Sequence, residues 1–377
     1  MNFRRFYAIF RKEGLHIIRD WRSLALALAI TAMLLLLFGY ALTLDVDQIP
    51  TAVYDQDRTP QSRELIAHFQ GSRYFKILDL NATYSSIEKS INKSNIIVGM
   101  VIPKDFGRTI LSSETAQVQL LLDGSDSNTA SIASGYANAL IATYSGEVRD
   151  RALSLRGSPR VKLPVDVRIR MLYNPELKSK NFIIPGLISV ILMLVAAMLT
   201  SLTIAREWES GTMEQLLSTP VRPIELLMGK LCAYFVVGLA DMALALILGM
   251  GVFRVPLHGS AILLAIASML YLFGALCWGI LISTIARSQQ VAFQISLLTS
   301  FLPSFLLSGF IYSLDNMPWI IQQISRIFPA RYFVSILQGI FLKGIGLSLL
   351  WPDLLFLLIY AVLVFGIATK KLRPKIA

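Results

Sequence analysis

One carboxylate, Asp241, stands near the middle of an otherwise apolar run, LCAYFVVGLADMALALILGMGVF (residues 231–253). An acid at that depth in a bilayer is costly, and marks either an ion- or proton-handling group or a buried polar contact between packed helices. A single acid does not make a proton relay. The other reactive residues are scattered. Glu114, Asp123 and Asp126 lack the spacing of a metal site, His68 stands alone, and the carboxylates read as helix caps and solvated faces. Cys232 and Cys277 lie in apolar runs and read as buried free thiols. Gly229-Lys230 is followed by Leu231 and lacks the upstream glycine of a phosphate loop. HExxH, CxxC and GxSxG do not occur. These residues predict no catalytic site, no metal site and no cofactor in this chain. If it moves something uphill, the energy comes from an ion gradient or from a partner.

Composition sets the class. Hydrophobic residues make up 55% of the 377 and charged residues 16%, against about 45–50% and about 25% in soluble domains. The chain reads as an α-helical integral membrane protein with one polar insertion. Residues 1–22 carry Phe3, Phe6, Tyr7, Phe10, Ile17, Ile18 and Trp21 at helical spacing, with Arg4, Arg5, Arg11, Lys12, Arg19 and Arg22 on other faces. That is a basic amphipathic helix suited to the headgroup plane. Six spans of about 20 residues follow, at 23–43, 182–205, 231–253, 260–286, 291–311 and 349–369. Pro185 and Gly186 sit at the outer start of the second, where proline costs little. Gly274, Cys277 and Gly279 in the fourth permit close helix approach. The fifth is broken at Pro303 and Gly309, and residues 312–348 read as short interfacial or re-entrant helices. The insertion, residues 44–181, alternates strand-like runs (TAVYDQ, FKILDL, IIVGMVIP, VQLLLD) with helical ones and closes on a strand-like VDVRIRMLY, which predicts an α/β domain.

The net charge of +11 could suggest nucleic acid, but its distribution argues otherwise. Residues 45–181 hold 17 Lys and Arg against 15 Asp and Glu, and the remainder holds 18 against 9. The excess therefore flanks membrane spans and reports topology. The flanks 1–22, 206–230, 287–290 and 370–377 carry 14 Lys and Arg, and the opposite short flanks only Arg254, Arg326, Arg331 and Lys343. Both termini and the polar segment REWESGTMEQLLSTPVRPIELLMGK (206–230) are expected in the cytosol, with the insertion outside. That segment is helix-forming. Met213, Leu216 and Leu217 can form an apolar stripe, Gly211-Thr212 a bend and cap, and Pro220 and Pro223 a stop before the next span.

With these features in order, the chain resembles the permease subunits of ABC-2 type transporters, in the bacterial drug and ion exporter branch. FRKEGLHIIRDWRS, the segment REWESGTMEQLLSTPVRPIELLMGK, FLPSFLLSGFIYSLDNMP and FPARYFVSILQGIFLKG carry the likeness, which covers essentially the whole length. The resemblance implies a dimer, homo- or heteromeric, in the bacterial inner membrane, bound to separate ATP-binding cassette subunits that hold the ATP and Mg. A periplasmic adaptor and an outer-membrane channel are further implied partners, besides membrane lipids; nucleic acid is not. It implies that Arg206, Glu207, Glu209, Gly211, Thr212, Glu214, Leu216 and Leu217 form a coupling helix in a groove of the ATPase. It further implies that Pro303, Ser308, Gly309, Pro318 and Pro329 belong to a re-entrant element closing the path on the outer side.

Two other readings compete. A membrane-anchored assembly or sensing protein would have no need of a polar segment between spans two and three. A gradient-driven carrier would rest on Asp241, but internal repeats between the two halves are not evident.

Overall fold

The computed structural model describes residues 2–42, 47–112, 114–155, 173–174, 178–312 and 314–372. The strand-like stretch ending at Tyr173 and the basic tail beyond Leu372 therefore lie almost wholly outside the described residues. In chain order the elements are α1 (Phe3–Arg19), α2 (Trp21–Ala41), β1 (Ile49–Asp55), α3 (Pro60–Gly71), β2 (Phe75–Asp79), α4 (Tyr84–Asn92), β3 (Val98–Ile102), α5 (Phe106–Leu111), β4 (Gln119–Leu122) and α6 (Ser127–Leu155). They continue with α7 (Ser179–Glu209), α8 (Thr212–Leu217), α9 (Pro223–Gly251), α10 (Ala261–Ala286), α11 (Gln289–Leu306), α12 (Trp319–Ser325), α13 (Pro329–Gln338) and α14 (Leu347–Lys371). The chain divides into two units, Asp45–Ile169 and the remainder.

The larger unit is helical. Five of its helices, α2, α7, α9, α10 and α14, are long and apolar enough to cross a membrane. The expected fifth span, α11, has 18 residues and three glutamines, Gln289, Gln290 and Gln294, and is not one of the five. Helix α7 is the hub. Its apolar window is 83% buried, against 22% for α2 and for α14. It packs against α2, α9, α10, α11 and α13, as a helix apolar on every side must.

The closest seam is α7 on α10. Tyr271, Ala275, Gly279 and Ser283, each four residues after the last, are all buried along one stripe of α10. The Tyr271 hydroxyl donates to the Ser189 carbonyl at 2.9 Å, and Thr200 Oγ1 donates to the Leu276 carbonyl at 2.9 Å. Ser283 Oγ accepts from the Ile204 and Ala205 amides, each at 2.9 Å. Small residues let the backbones approach, and hydroxyls then bond across the contact.

Two prolines behave differently from expectation. Helix α7 begins at Ser179, so Pro185 falls inside it rather than at its start. Helix α11 runs through Pro303 for three more residues and ends before Gly309, whose φ of +81° turns the chain. A proline removes one intrahelical bond, and tight packing on neighbouring helices can carry that cost.

Among the described residues the smaller unit holds a four-stranded sheet of order β2-β1-β3-β4, with β1 parallel to β2 and β3, and β4 antiparallel to β3. Thr59 caps α3 with Pro60 at the first helical position, and Thr83 opens α4 in a capping box with Ser86. One core joins Leu65, Phe69, Phe75, Met100 and Phe106 with Ala133, Ala137 and Tyr144 of α6. The opposite face packs Ile87 of α4 on Ala52 and Val101. Arg151 of α6 grips Glu64 of α3 in a two-pronged contact at 2.7 and 3.0 Å, which holds the Glu64 carboxyl below the usual carboxylate range.

Candidate coupling site

The polar segment 206–230 is built from three pieces. Arg206–Glu209 are the last turn of α7, so the apolar helix runs straight into the charged stretch. Ser210 caps that turn and Gly211, at φ +73°, reverses the chain in a conformation that L side chains rarely adopt. The short α8 follows. Pro223 then occupies the first position of α9, so it opens the next helix instead of stopping the previous one.

Helix α1 lies along this segment and is pinned to it at its N-terminal end and its middle. The Asn2 amide donates to Glu225 Oε1 at 2.6 Å, the Arg222 amide donates to Glu225 Oε2 at 3.1 Å, and Arg5 donates to the Pro220 carbonyl. Further along, a Cβ at Gly229 would stand 2.7 Å from Ile9 Cγ2, so the α1–α9 contact is as close as glycine permits.

Beyond these anchors lies a network of four charges. Lys230 Nζ is 2.7 Å from Glu13 Oε1 and 3.2 Å from Glu207 Oε1. Lys12 Nζ reaches the same Glu207 oxygen at 2.7 Å. Lys230, Glu13 and Glu207 are buried at 2%, 5% and 8% exposure, and Lys12 remains half exposed. Two cations and two anions balance, which is the condition under which charges persist away from water. Thr212, the first residue of α8, donates its hydroxyl to Glu207 Oε2. The network therefore joins α1, the end of α7, the start of α8 and the start of α9.

Among the residues expected to meet a partner, Glu207 faces inward, and its charge is spent within the chain. Met213 is also buried, at 1% exposure, and Leu216 is half-buried against the same core. The anticipated apolar stripe thus anchors α8 to its own protein; the Leu217 side chain lies outside the described residues. Among the described side chains, those that α8 exposes are polar. Glu214 and Gln215 are exposed, as are Glu209, Ser210 and Gly211 before them. Glu209 Oε2 accepts from the Gln289 amide at 3.2 Å and from its Nε2 at 2.8 Å, and Arg206 Nε donates to Gln289 Oε1 at 3.3 Å. The Arg287 guanidinium lies over the Trp208 ring at 4.9 Å. The 287–290 turn is thereby tied to the foot of α7.

Glu13, Lys12, Lys230, Glu225 and Gln289 were not foreseen in these roles. A signal existed for two of them: Glu13 follows Ile9 by four residues on the inward face of α1, and Lys230 opens an apolar run.

The remaining predicted residues divide. Ser308 is buried, its hydroxyl without a partner among the described residues, and Phe310 beside it packs on Gly186 of α7. Pro318 and Pro329 start two separate short helices, α12 and α13. Asp241 is buried at 2% exposure, with Thr31 of α2 the polar group facing it; its Oδ1 has no hydrogen-bond partner among the described residues. No group of metal-binding side chains occurs among the described residues.

Comparison with known proteins gives these features a family setting. The model for the ABC-2 family transporter protein matches residues 21–370. The chain is 36% identical over 386 aligned positions to "Probable multidrug ABC transporter permease YbhS" of Escherichia coli (strain K12), covering 100% of this chain and 98% of that one. It is 31% identical to "Probable multidrug ABC transporter permease YbhR" of the same organism, over 99% of this chain and 100% of that one. It is 30% identical to "Inner membrane transport permease YhhJ", over 87% and 86%.

Proposed function

This chain belongs to the ABC-2 transporter family, and on that footing we propose that it is the membrane permease subunit of an ATP-driven exporter in the bacterial inner membrane. It moves drugs, lipophilic compounds or ions outward by alternating between conformations. ATP and Mg reside on a separate cassette subunit, and two permease chains pair to form the path. Helix α11 completes a set of six spans, both termini are cytosolic, and residues 45–181 lie outside, where an adaptor can engage them. The re-entrant element of Pro303, Ser308, Gly309, Pro318 and Pro329 closes the outer end of the path.

One observation carries the coupling role. Helix α8 is held from behind by Met213 and by the Thr212–Glu207 bond, while Glu209, Glu214 and Gln215 face outward. A push on α8 is therefore transmitted to α7, the hub of the unit, and to α1. A solvated connector would need no such buried charge network behind it. The test is to make the outward face basic, Glu214→Lys with Gln215→Lys. Both sites are exposed, so folding is expected to hold, and co-purification of the cassette subunit should fall about tenfold or more, since like charges at an interface cost several kcal/mol. Undiminished association with full permease-stimulated hydrolysis would refute the docking role.

A further inference from the structure

Two grooves flank α1 and meet at shared residues. The first is a shallow face open to solvent, formed by α1 and its C-terminal cap alone, and is cationic: Arg11, Lys12, His16 and Arg19 line it with Leu15, and Asp20 is its one acid. The second, about 330 Å³, runs between α1 and α9 and is lined by Gly14, Ile17, Ile18, Ala233 and Val236, with Arg11 and Leu15 again at its edge. Arg11 and Leu15 therefore stand where a charged trough turns into an apolar slot. Lys12 is engaged with Glu207, but Arg11 and Arg19 make no ion pair among the described residues. Ile18 and Val236 are exposed at 72% and 58% beside the slot, an arrangement that water penalises and an acyl chain would not.

We propose that this paired groove is a binding site for a phospholipid with an anionic headgroup, its phosphate on Arg11 and Arg19 and one acyl chain in the slot between α1 and α9. The charge of the trough selects the headgroup, and the apolar slot next to it distinguishes a lipid from a free anion. The proposal rests on α1 lying at the headgroup level; it does not depend on α8 docking a cassette subunit. The bound lipid sits one residue from Lys12, so it also braces the helix that closes the charge network.

The geometry offers two independent ways to disturb the site. Arg11→Gln with Arg19→Gln removes the headgroup charges only. Gly14→Leu fills the slot: a Cβ at Gly14 would meet nothing within 4 Å, and leucine favours the helix over glycine. The experiment is native mass spectrometry of the purified full chain after exchange with phosphatidylglycerol or phosphatidylcholine, with inorganic phosphate as a third arm. The wild type is expected to retain phosphatidylglycerol in preference to phosphatidylcholine. The double glutamine variant should lose that preference by about thirty-fold, each basic residue near a membrane surface being worth about a factor of five. Gly14→Leu should lower retention of both lipids. Equal retention of the two lipids by the wild type, unchanged phosphatidylglycerol binding in the double variant, or competition by phosphate alone would overturn the proposal. None of these readouts involves the cassette subunit, so failure here and failure of the coupling role are distinguishable.

Discussion

Replacing Lys230 with methionine is expected to destabilise the chain by about 3 kcal/mol and to uncouple the cassette subunit. The substitution keeps the volume and the apolar stem but removes the cation shared by Glu13 and Glu207. Breaking a buried pair from one side costs about 3–5 kcal/mol, because the stranded charge has neither water nor a partner. The lower figure applies here, since Lys12 still reaches Glu207 at 2.7 Å. Glu13 loses more: its next cation is Lys12, at 3.8 Å. Adding Glu13→Gln to Lys230→Met restores the balance of charge and should recover at least half of the loss. The measurement is a thermal melt of purified single and double variants in detergent, followed by cassette-stimulated hydrolysis. If the double variant is no better than the single, lost packing rather than a stranded charge explains the effect.

Gly279→Ala is expected to be the most damaging single-methyl change in the apolar core. A Cβ built there overlaps Thr200 Oγ1 and the Ala197 carbonyl oxygen, and lies 2.9 Å from the Ala197 carbonyl carbon. Backbone cannot rotate aside as a side chain can, so α10 must lift from α7. Overpacking of this kind costs about 1–3 kcal/mol, and here it also strains the Thr200–Leu276 and Ser283 bonds that hold the seam. Gly366→Ala in α14 is the matched control. Nothing lies within 4 Å of a Cβ at that position, so the change should be neutral or stabilising by up to about 1 kcal/mol. A melt in which both variants shift equally would show that the α7–α10 seam is looser than described.

These two sites also show what a sequence reveals and what it withholds. The apolar runs are legible because a bilayer demands about 20 such residues in succession. Thr59-Pro60 is legible because capping chemistry is local. Helix α1 is legible through its aromatic and basic faces. The Lys230–Glu13 pair is different: its members lie 217 positions apart, and nothing in either neighbourhood names the other. For the same reason Glu207 read as a surface acid, since an inward and an outward turn of one helix differ by only a residue or two. Pro223 illustrates a further ambiguity. Proline is equally at home just after one helix and at the first position of the next, and only the capping bonds of Glu225 decide between them. Gly279 was visible as a small residue, but its severity depends on the Ala197 backbone lying across from it, a tertiary fact.

The coupling role requires α8 to meet a cassette subunit through its outward face. The most direct measurement is site-specific photo-crosslinking in the assembled complex, with the probe at Glu214 in one sample and at Met213 in another. These neighbours differ in one respect that matters: Glu214 is exposed and Met213 is 1% exposed. Docking through that face gives a cassette-subunit adduct from position 214 and an adduct only within the chain from position 213. No cassette adduct from position 214, in a complex shown to be intact, would contradict it.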